Sequence, residues 1–528
     1  MDYLEELDAL GRGNLKHLRK LGLGALYAYG SALVAIFVLR VIFRKNSSPS
    51  KPLMTAVLDT ILEIPSLLNV GPWGKPNTIM KAMEMAMNET KLTDFGHDGM
   101  KEGQDSDPLG FVTRYETSQN SGLDKCKGRY SPLGYLLSFN TMERRMVARL
   151  RHVEYMKTHP QVSKISVTKP VFVIGFPRTG TTFLHEMLTL NKKVRTHYTW
   201  EQFDHVPNTS QETCRALRED RIKRYRRNRG DFERKLRLVG DDIQAIHRIG
   251  YDEPEECTTP CAFELPYAIG ALPLYILAAE EVIPMGCGRA FGFYKEYLQM
   301  LTWQSGGEKV ERQVGVKEFQ AVSPSEEKQA DNDMRSAPHK LGRDQRWMLK
   351  CPFHLPYLEE LFATFPDATV VWTHRDPVEC IGSACSLYYT LAAMAMEVDS
   401  IDKHAIGQGV VEYTRRSLEM AERSLHKLEA NGASIIHIRY QDNVQDPRGT
   451  VCGILRETGI MKGKDDELAY KEQLEQYLVR NKATNEKVKS KKGGSGHTYS
   501  LVEYGLDEEG VRATFKHYTD KYNLVKSK

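Results

Sequence analysis

The chain has 528 residues, 41% of them hydrophobic and 27% charged, enough to bury a large core and too apolar for a disordered segment. Its formal net charge of +4 excludes a protein whose whole surface binds nucleic acid, so any basic site is local. The nine cysteines form no CxxC pair and no His/Cys cluster of zinc-finger spacing, so no structural metal is indicated.

In chain order, residues 1–20 form a tail and residues 21–43 a candidate membrane anchor. From Leu21 to Leu39 nineteen residues pass without a charge, the length of a spanning helix and too long for a typical signal-peptide core. Basic residues stand on both sides, Arg12, Lys16, Arg19 and Lys20 before and Arg40, Arg44, Lys45 and Lys51 after, so the charge rule gives no orientation. A single N-terminal span suits a Golgi or other endomembrane protein, and the sequons at Asn46, Asn88 and Asn208 matter only if the body is lumenal. Residues 44–51 read as a polar linker. Residues 52–160 read as an α-helical prelude, ending in the amphipathic Thr141–His159.

The organising stretch is Lys169–Leu190. Val171-Phe172-Val173-Ile174 reads as a strand, Gly175 to Gly180 as a glycine loop, and Thr181 onward as a helix. A loop of this kind aims backbone N–H groups and a helix N-terminus at one anion. The spacing imitates a Walker A loop, but Thr181 stands where a nucleoside-triphosphate enzyme places its lysine. Arg178 is the loop's only cation, accompanied by the hydroxyls of Thr181 and Thr182, a set that favours a nucleotide without a γ-phosphate, and Thr179 and Gly180 complete the candidate cofactor-binding loop.

Val194–Trp200 reads as a second strand, and Glu201 at its carboxyl end is a general-base candidate, because ligands of open α/β sheets sit at strand carboxyl ends. Arg215–Arg237 carries eleven Lys/Arg against four Asp/Glu, which suits an acidic glycan or a solvated helix face. Asp252-Glu253-Pro254-Glu255-Glu256-Cys257 then opens an apolar stretch to Ala279, either an acceptor pocket or a helix start over the core. Cys257 and Cys261 read as a disulfide or as two buried thiols. Gln304–Gln345 is polar and reads as a flexible insertion. Arg346–Lys350 is a short strand with Lys350 and His354 at its end, before a helix over Leu355–Phe365. His354 reads equally as a structural or a catalytic residue. Thr369–Thr373 is a strand ending in His374-Arg375-Asp376-Pro377, with Ser383 in the helix that follows. Arg375 and Ser383 can bracket a second phosphate. Ser434–Tyr440 supplies another strand, Pro447 starts a helix to about Thr458, and residues 463–492 read as helix then loop.

The loop Phe176–Thr182, together with Arg375 and Ser383 eight residues on, resembles the sulfotransferases that use 3′-phosphoadenosine 5′-phosphosulfate. Trp200-Glu201, Asp252–Cys257, Leu349–Leu355 and His374–Pro377 are similar to motifs of one branch of that family. The resemblance implies that the loop holds the 5′-phosphosulfate and that Arg375 and Ser383 hold the 3′-phosphate. It also implies that His497 and Tyr499 belong to a basic loop closing over the nucleotide. Cytosolic relatives use a His as base and relatives acting on proteins a Glu, so Glu201 is the preferred base here and His354 the alternative.

The expectation is therefore an α/β fold: a P-loop-type, mainly parallel sheet flanked by helices in residues 161–525, with the helical prelude and one transmembrane helix before it. The function expected is transfer of a sulfuryl group from 3′-phosphoadenosine 5′-phosphosulfate to a hydroxyl of a lipid, small-molecule or glycan acceptor. Glu201 or His354 takes the proton, Arg178 and Lys350 neutralise developing charge, and no metal is required. A P-loop kinase or phosphohydrolase, and a membrane-tethered nucleotide-binding scaffold without turnover, are the rival readings.

Overall fold

The computed structural model describes residues 62, 78–96, 110–208, 217, 219–221, 223–229, 250–251, 253–258, 272–305, 345–491 and 500–524. The candidate anchor, the linker, Asp252, Cys261, nearly all of the 304–345 insertion, His497 and Tyr499 lie outside the described residues.

Three helices precede the sheet: α1 (Thr78–Thr90), α2 (Gly110–Cys126) and α3 (Pro132–Thr158). Ser131 caps α3 by accepting the Gly134 N–H, and Pro132 takes a first-turn position where its missing N–H costs nothing. Ile79, Met83 and Ala86 of α1 pack with Phe139, Met142 and Met146 of α3 in a core of their own.

Five parallel strands follow: β1 (Val171–Ile174), β2 (Val194–Arg195), β3 (Arg346–Lys350), β4 (Thr369–His374) and β5 (Ser434–Arg439), in the order β2-β3-β1-β4-β5. Parallel neighbours require helical crossovers that cover both faces, which is why the central strands read as unbroken apolar runs. Alternate side chains feed two cores. Val171, Val173, Met348 and Val371 pack on one face, and Phe172, Ile174, Leu349, Val370 and Trp372 on the other. Around the sheet run α4 (Thr181–Thr189), α5 (Thr199–Phe203), α6 (Gly288–Ser305), α7 (Pro377–Ala395), α8 (Lys403–Ala430), α9 (Pro447–Glu457), α10 (Lys464–Lys491), α11 (Glu508–Thr514) and α12 (Lys516–Lys521). Leu184, Met187 and Leu188 of α4 join Val451 and Leu455 of α9 and Leu474 of α10 over the first face, while α6, α7 and α8 cover the second.

Two elements differ from the sequence reading. The second strand ends at Arg195, and Thr199–Phe203 is helical because the Glu201 carboxylate accepts the Tyr198 N–H and caps the turn. The helix expected over Leu355–Phe365 is a 3₁₀ segment, Pro352–Tyr357, before an α-helix from Leu358 to Thr364, since Pro356 has no N–H for an α-helical bond. Helix α7 is long and apolar enough to cross a membrane, but eleven of its residues are buried in the fold, the pattern of a core helix.

Candidate active site

The loop between β1 and α4 gathers three unusual backbone conformations. Gly175, Arg178 and Gly180 all have positive φ, of 152°, 75° and 86°. At Gly175 the turn is also crowded, because a Cβ there would lie 2.3 Å from the Thr373 hydroxyl and 2.7 Å from that of Thr179. Those two hydroxyls hydrogen-bond each other at 2.7 Å and lock the loop to β4. Arg178 is the non-glycine residue held in the left-handed region, a strain of the kind concentrated at ligand sites. Its conformation is fixed from outside the loop: the Arg375 guanidinium donates to the Arg178 carbonyl at 3.0 Å, and the Arg178 side chain donates to the Ser383 hydroxyl at 3.0 Å.

Three cations from three adjacent strand ends therefore meet at one loop. Arg178 follows β1, Arg375 follows β4, and Lys350 ends β3 with its ammonium 3.4 Å from the Thr182 hydroxyl. Thr182 stands exposed at the start of α4, whereas Thr179 and Thr181 are buried. Arg375 lies 3.9 Å over the Tyr440 ring and bonds Glu379 at 3.1 Å. Behind it, His374 hydrogen-bonds the Tyr518 hydroxyl at 2.9 Å and stacks on Tyr522, so the C-terminal helices close the end of β4.

Lys350 is 2% exposed, and its ammonium pairs with the Glu256 carboxylate at 2.6 Å. Burial alone pulls this ammonium down, but Glu256 and Glu255 outweigh it and hold the lysine above its usual range, protonated. Glu256 is pinned by its backbone. The Cys257 N–H donates to the Lys350 carbonyl at 3.0 Å, and the Gln202 amide donates to the Glu256 carbonyl at 2.8 Å. The same amide reaches His197, whose other nitrogen meets the Tyr294 hydroxyl at 3.1 Å, and that hydroxyl donates to the Cys257 thiol. Burial holds His197 neutral, pushed down to about 3, which fits a relay of neutral partners. Cys257 is a buried free thiol.

Glu201 is placed differently from its reading as a base. It is 2% exposed, and its carboxylate accepts the Tyr198 N–H at 2.9 Å, pairs with Arg221 and lies 3.5 Å from Arg195. The helix it caps holds the acidic segment, since Thr199 and Trp200 donate their N–H groups to the Glu253 and Tyr251 carbonyls. His354 sits among Phe172, Phe291 and Tyr294, and burial pushes it down to about 3, so it remains a neutral core histidine. The carboxylate that the fold does bring to the loop is Glu256, which the sequence offered only as one acid in a run of four. Its pairing partner stands 94 residues away, and no local spacing reveals it. Among the described residues, no group of three His, Cys, Asp or Glu side chains is arranged to hold a metal ion.

A model of the sulfotransferase family matches residues 170–270 and 276–462, more than half of the chain and all five strands. No curated protein matches the chain. Two solved structures share the fold. The sulfotransferase STF1 from Mycobacterium tuberculosis has a TM-score of 0.57 and 22% identity, over 83% of this chain and 98% of that one. The sulfotransferase STF9 from Mycobacterium avium has a TM-score of 0.60 and 19% identity, over 85% and 98%.

Proposed function

The chain belongs to the sulfotransferase family, and we propose that it moves a sulfuryl group from 3′-phosphoadenosine 5′-phosphosulfate to an acceptor hydroxyl. The observation that carries the reading is the convergence of Arg178, Lys350 and Arg375 on a glycine loop that has Thr181 in place of a Walker lysine. Arg178, Lys350 and the loop N–H groups suit the 5′-phosphosulfate, and Arg375 with Ser383 suits the 3′-phosphate.

The acceptor oxygen attacks sulfur in line, a new O–S bond forms, and the bond from sulfur to the bridging phosphate oxygen breaks. Adenosine 3′,5′-bisphosphate leaves with the electron pair. Glu256 takes the acceptor proton. In the free protein the Glu256 carboxylate is engaged by the Lys350 ammonium. Lys350 also reaches Thr182 at the loop, so an anion bound there competes with Glu256 for the ammonium and frees the carboxylate. Glu201 acts on this chemistry by holding the acidic segment in place. Lys350 and Arg178 then meet charge developing on the transferred group and the leaving phosphate.

The N-terminal span, residues 21–43, would tether this domain to an endomembrane, with 3′-phosphoadenosine 5′-phosphosulfate as its co-substrate and His497 and Tyr499 among the residues that bind the nucleotide.

Calorimetric titration tests the donor assignment. Adenosine 3′,5′-bisphosphate is expected to bind at least ten-fold more tightly than ATP, and equal affinities would return the site to the kinases and phosphohydrolases.

A further inference from the structure

A second set of cations is buried away from the glycine loop, beside the turn that holds the acidic segment. Arg221 and Arg224 stand on helical residues 219–221 and 223–229, each 2% exposed, and Arg195 ends β2. Arg224 is well matched, with the Asp220 carboxylate at 2.8 Å and the Gln304 side-chain oxygen at 2.7 Å. Arg221 is not. Its guanidinium lies 4.5 Å over the Trp200 ring, and its Nη2 pairs with Oε1 of Glu201. The same oxygen lies 3.5 Å from Arg195, while Oε2 accepts the Tyr198 N–H.

The Nε–H of Arg221 is buried and finds no hydrogen-bond partner among the described residues. A charged donor left unpaired in a dry place costs more than a neutral one, which points to a partner that the protein itself does not supply. One Glu201 oxygen serving two guanidiniums also leaves Arg221 short of negative charge. Burial first, then Arg195 and Arg224, push the Arg221 guanidinium well below its ordinary value, the direction a counter-ion would reverse. The surroundings select that ion. Trp200, Tyr225 and Tyr251 form one buried aromatic cluster, with Trp200 and Tyr225 edge to face at 5.4 Å. Ring edges suit a compact anion but do not satisfy the several oxygens of a sulfate or phosphate, and a dianion would reverse the local charge rather than cancel it.

We propose that the Nε–H of Arg221 binds a halide ion, chloride in the cell, beside the Trp200 cluster. The ion completes the neutralisation of Arg221 and leaves Glu201 to cap the turn whose Thr199 and Trp200 N–H groups hold the Glu253 and Tyr251 carbonyls. Chloride is thus a structural ion of the wall behind Glu256. The proposal stands apart from the sulfuryl-transfer reading, because its test measures stability and ion binding rather than turnover.

The test compares thermal melts of the full chain in sodium chloride, in sodium bromide and in sodium gluconate at equal concentration, gluconate being a monoanion too bulky for a closed site. The wild type is expected to melt about 2–4 °C higher in either halide than in gluconate. R221M removes both the charge and the donor, and R221K keeps the charge but removes Nε. Both should lose the halide difference, whatever their absolute melting temperatures. Equal melting of the wild type in halide and gluconate, or the full difference kept by either variant, would overturn the proposal. If neither variant folds, anomalous diffraction from wild-type crystals grown in bromide decides the matter. A bromide peak within hydrogen-bond reach of the Arg221 Nε is expected, and the lack of a peak there would overturn the site.

Discussion

The ends of β3 and β4 flank the glycine loop, and each carries a cation held in its own way. Lys350 is sealed from solvent, tied to Glu256 at 2.6 Å and within 3.4 Å of Thr182. Arg375 is half-buried, propped on the Tyr440 ring, braced by Glu379 and bonded to a backbone carbonyl of the loop. The lysine belongs to a charge pair in a dry place, where the loss of one member strands the other. The arginine belongs to a wet scaffold, where each contact contributes little to stability and the sum sets orientation. Under the proposed sulfuryl transfer, the β3 side of β1 serves the chemistry and the β4 side holds the nucleotide.

Breaking each side separately sharpens this contrast. K350A should lower transfer by about 10²–10³-fold, the scale of a lost charge-stabilising donor. It should also lower the melting temperature, because Glu256 loses its partner in a nearly closed environment. R375A should weaken adenosine 3′,5′-bisphosphate by about ten- to a hundred-fold, with kcat at saturation little changed. Initial rates at saturating and limiting donor separate the two variants. If K350A spared kcat and R375A destroyed it, the assignment of the two strand ends would be reversed.

The two ends also share a dependence on pH, through histidines that burial keeps neutral. His185, His197 and His354 are pushed down to about 3 by burial, and His374, at the end of β4, to about 2 by burial, His437 and Lys521. Each binds a proton in the unfolded chain near pH 6.5 and resists it in the fold. Their contribution is therefore complete above about pH 6.5 and is lost as pH falls toward the folded values. Each such group costs about 1.4 kcal/mol per pH unit below that point. Thermal melts between pH 7.5 and 4.5 should show a steep, progressive fall, and a flat melting temperature across that range would contradict the burial of these side chains.

The sheet was legible because β1, β3 and β4 are buried on both faces and so appear as apolar runs between glycine, proline and charge. Their carboxyl ends were legible for the same reason, and with them Arg178, Lys350, Arg375 and Ser383. Tyr198-Thr199-Trp200 misled, since β-prone residues continue the run while the Glu201 carboxylate turns the backbone into a helix. His354 drew attention by standing just after a strand end, yet the fold turns it into the aromatic core. Glu256 depends on tertiary placement, because it is defined by a lysine far along the chain.

The most direct test of the central claim is transfer of ³⁵S from labelled 3′-phosphoadenosine 5′-phosphosulfate to 2-naphthol by E256Q, with E201Q beside it. The account predicts that E256Q binds adenosine 3′,5′-bisphosphate normally and transfers at least a hundred-fold more slowly, while folded E201Q keeps most of its rate at a lowered melting temperature. Full transfer by E256Q, with the loss falling on E201Q instead, would contradict it.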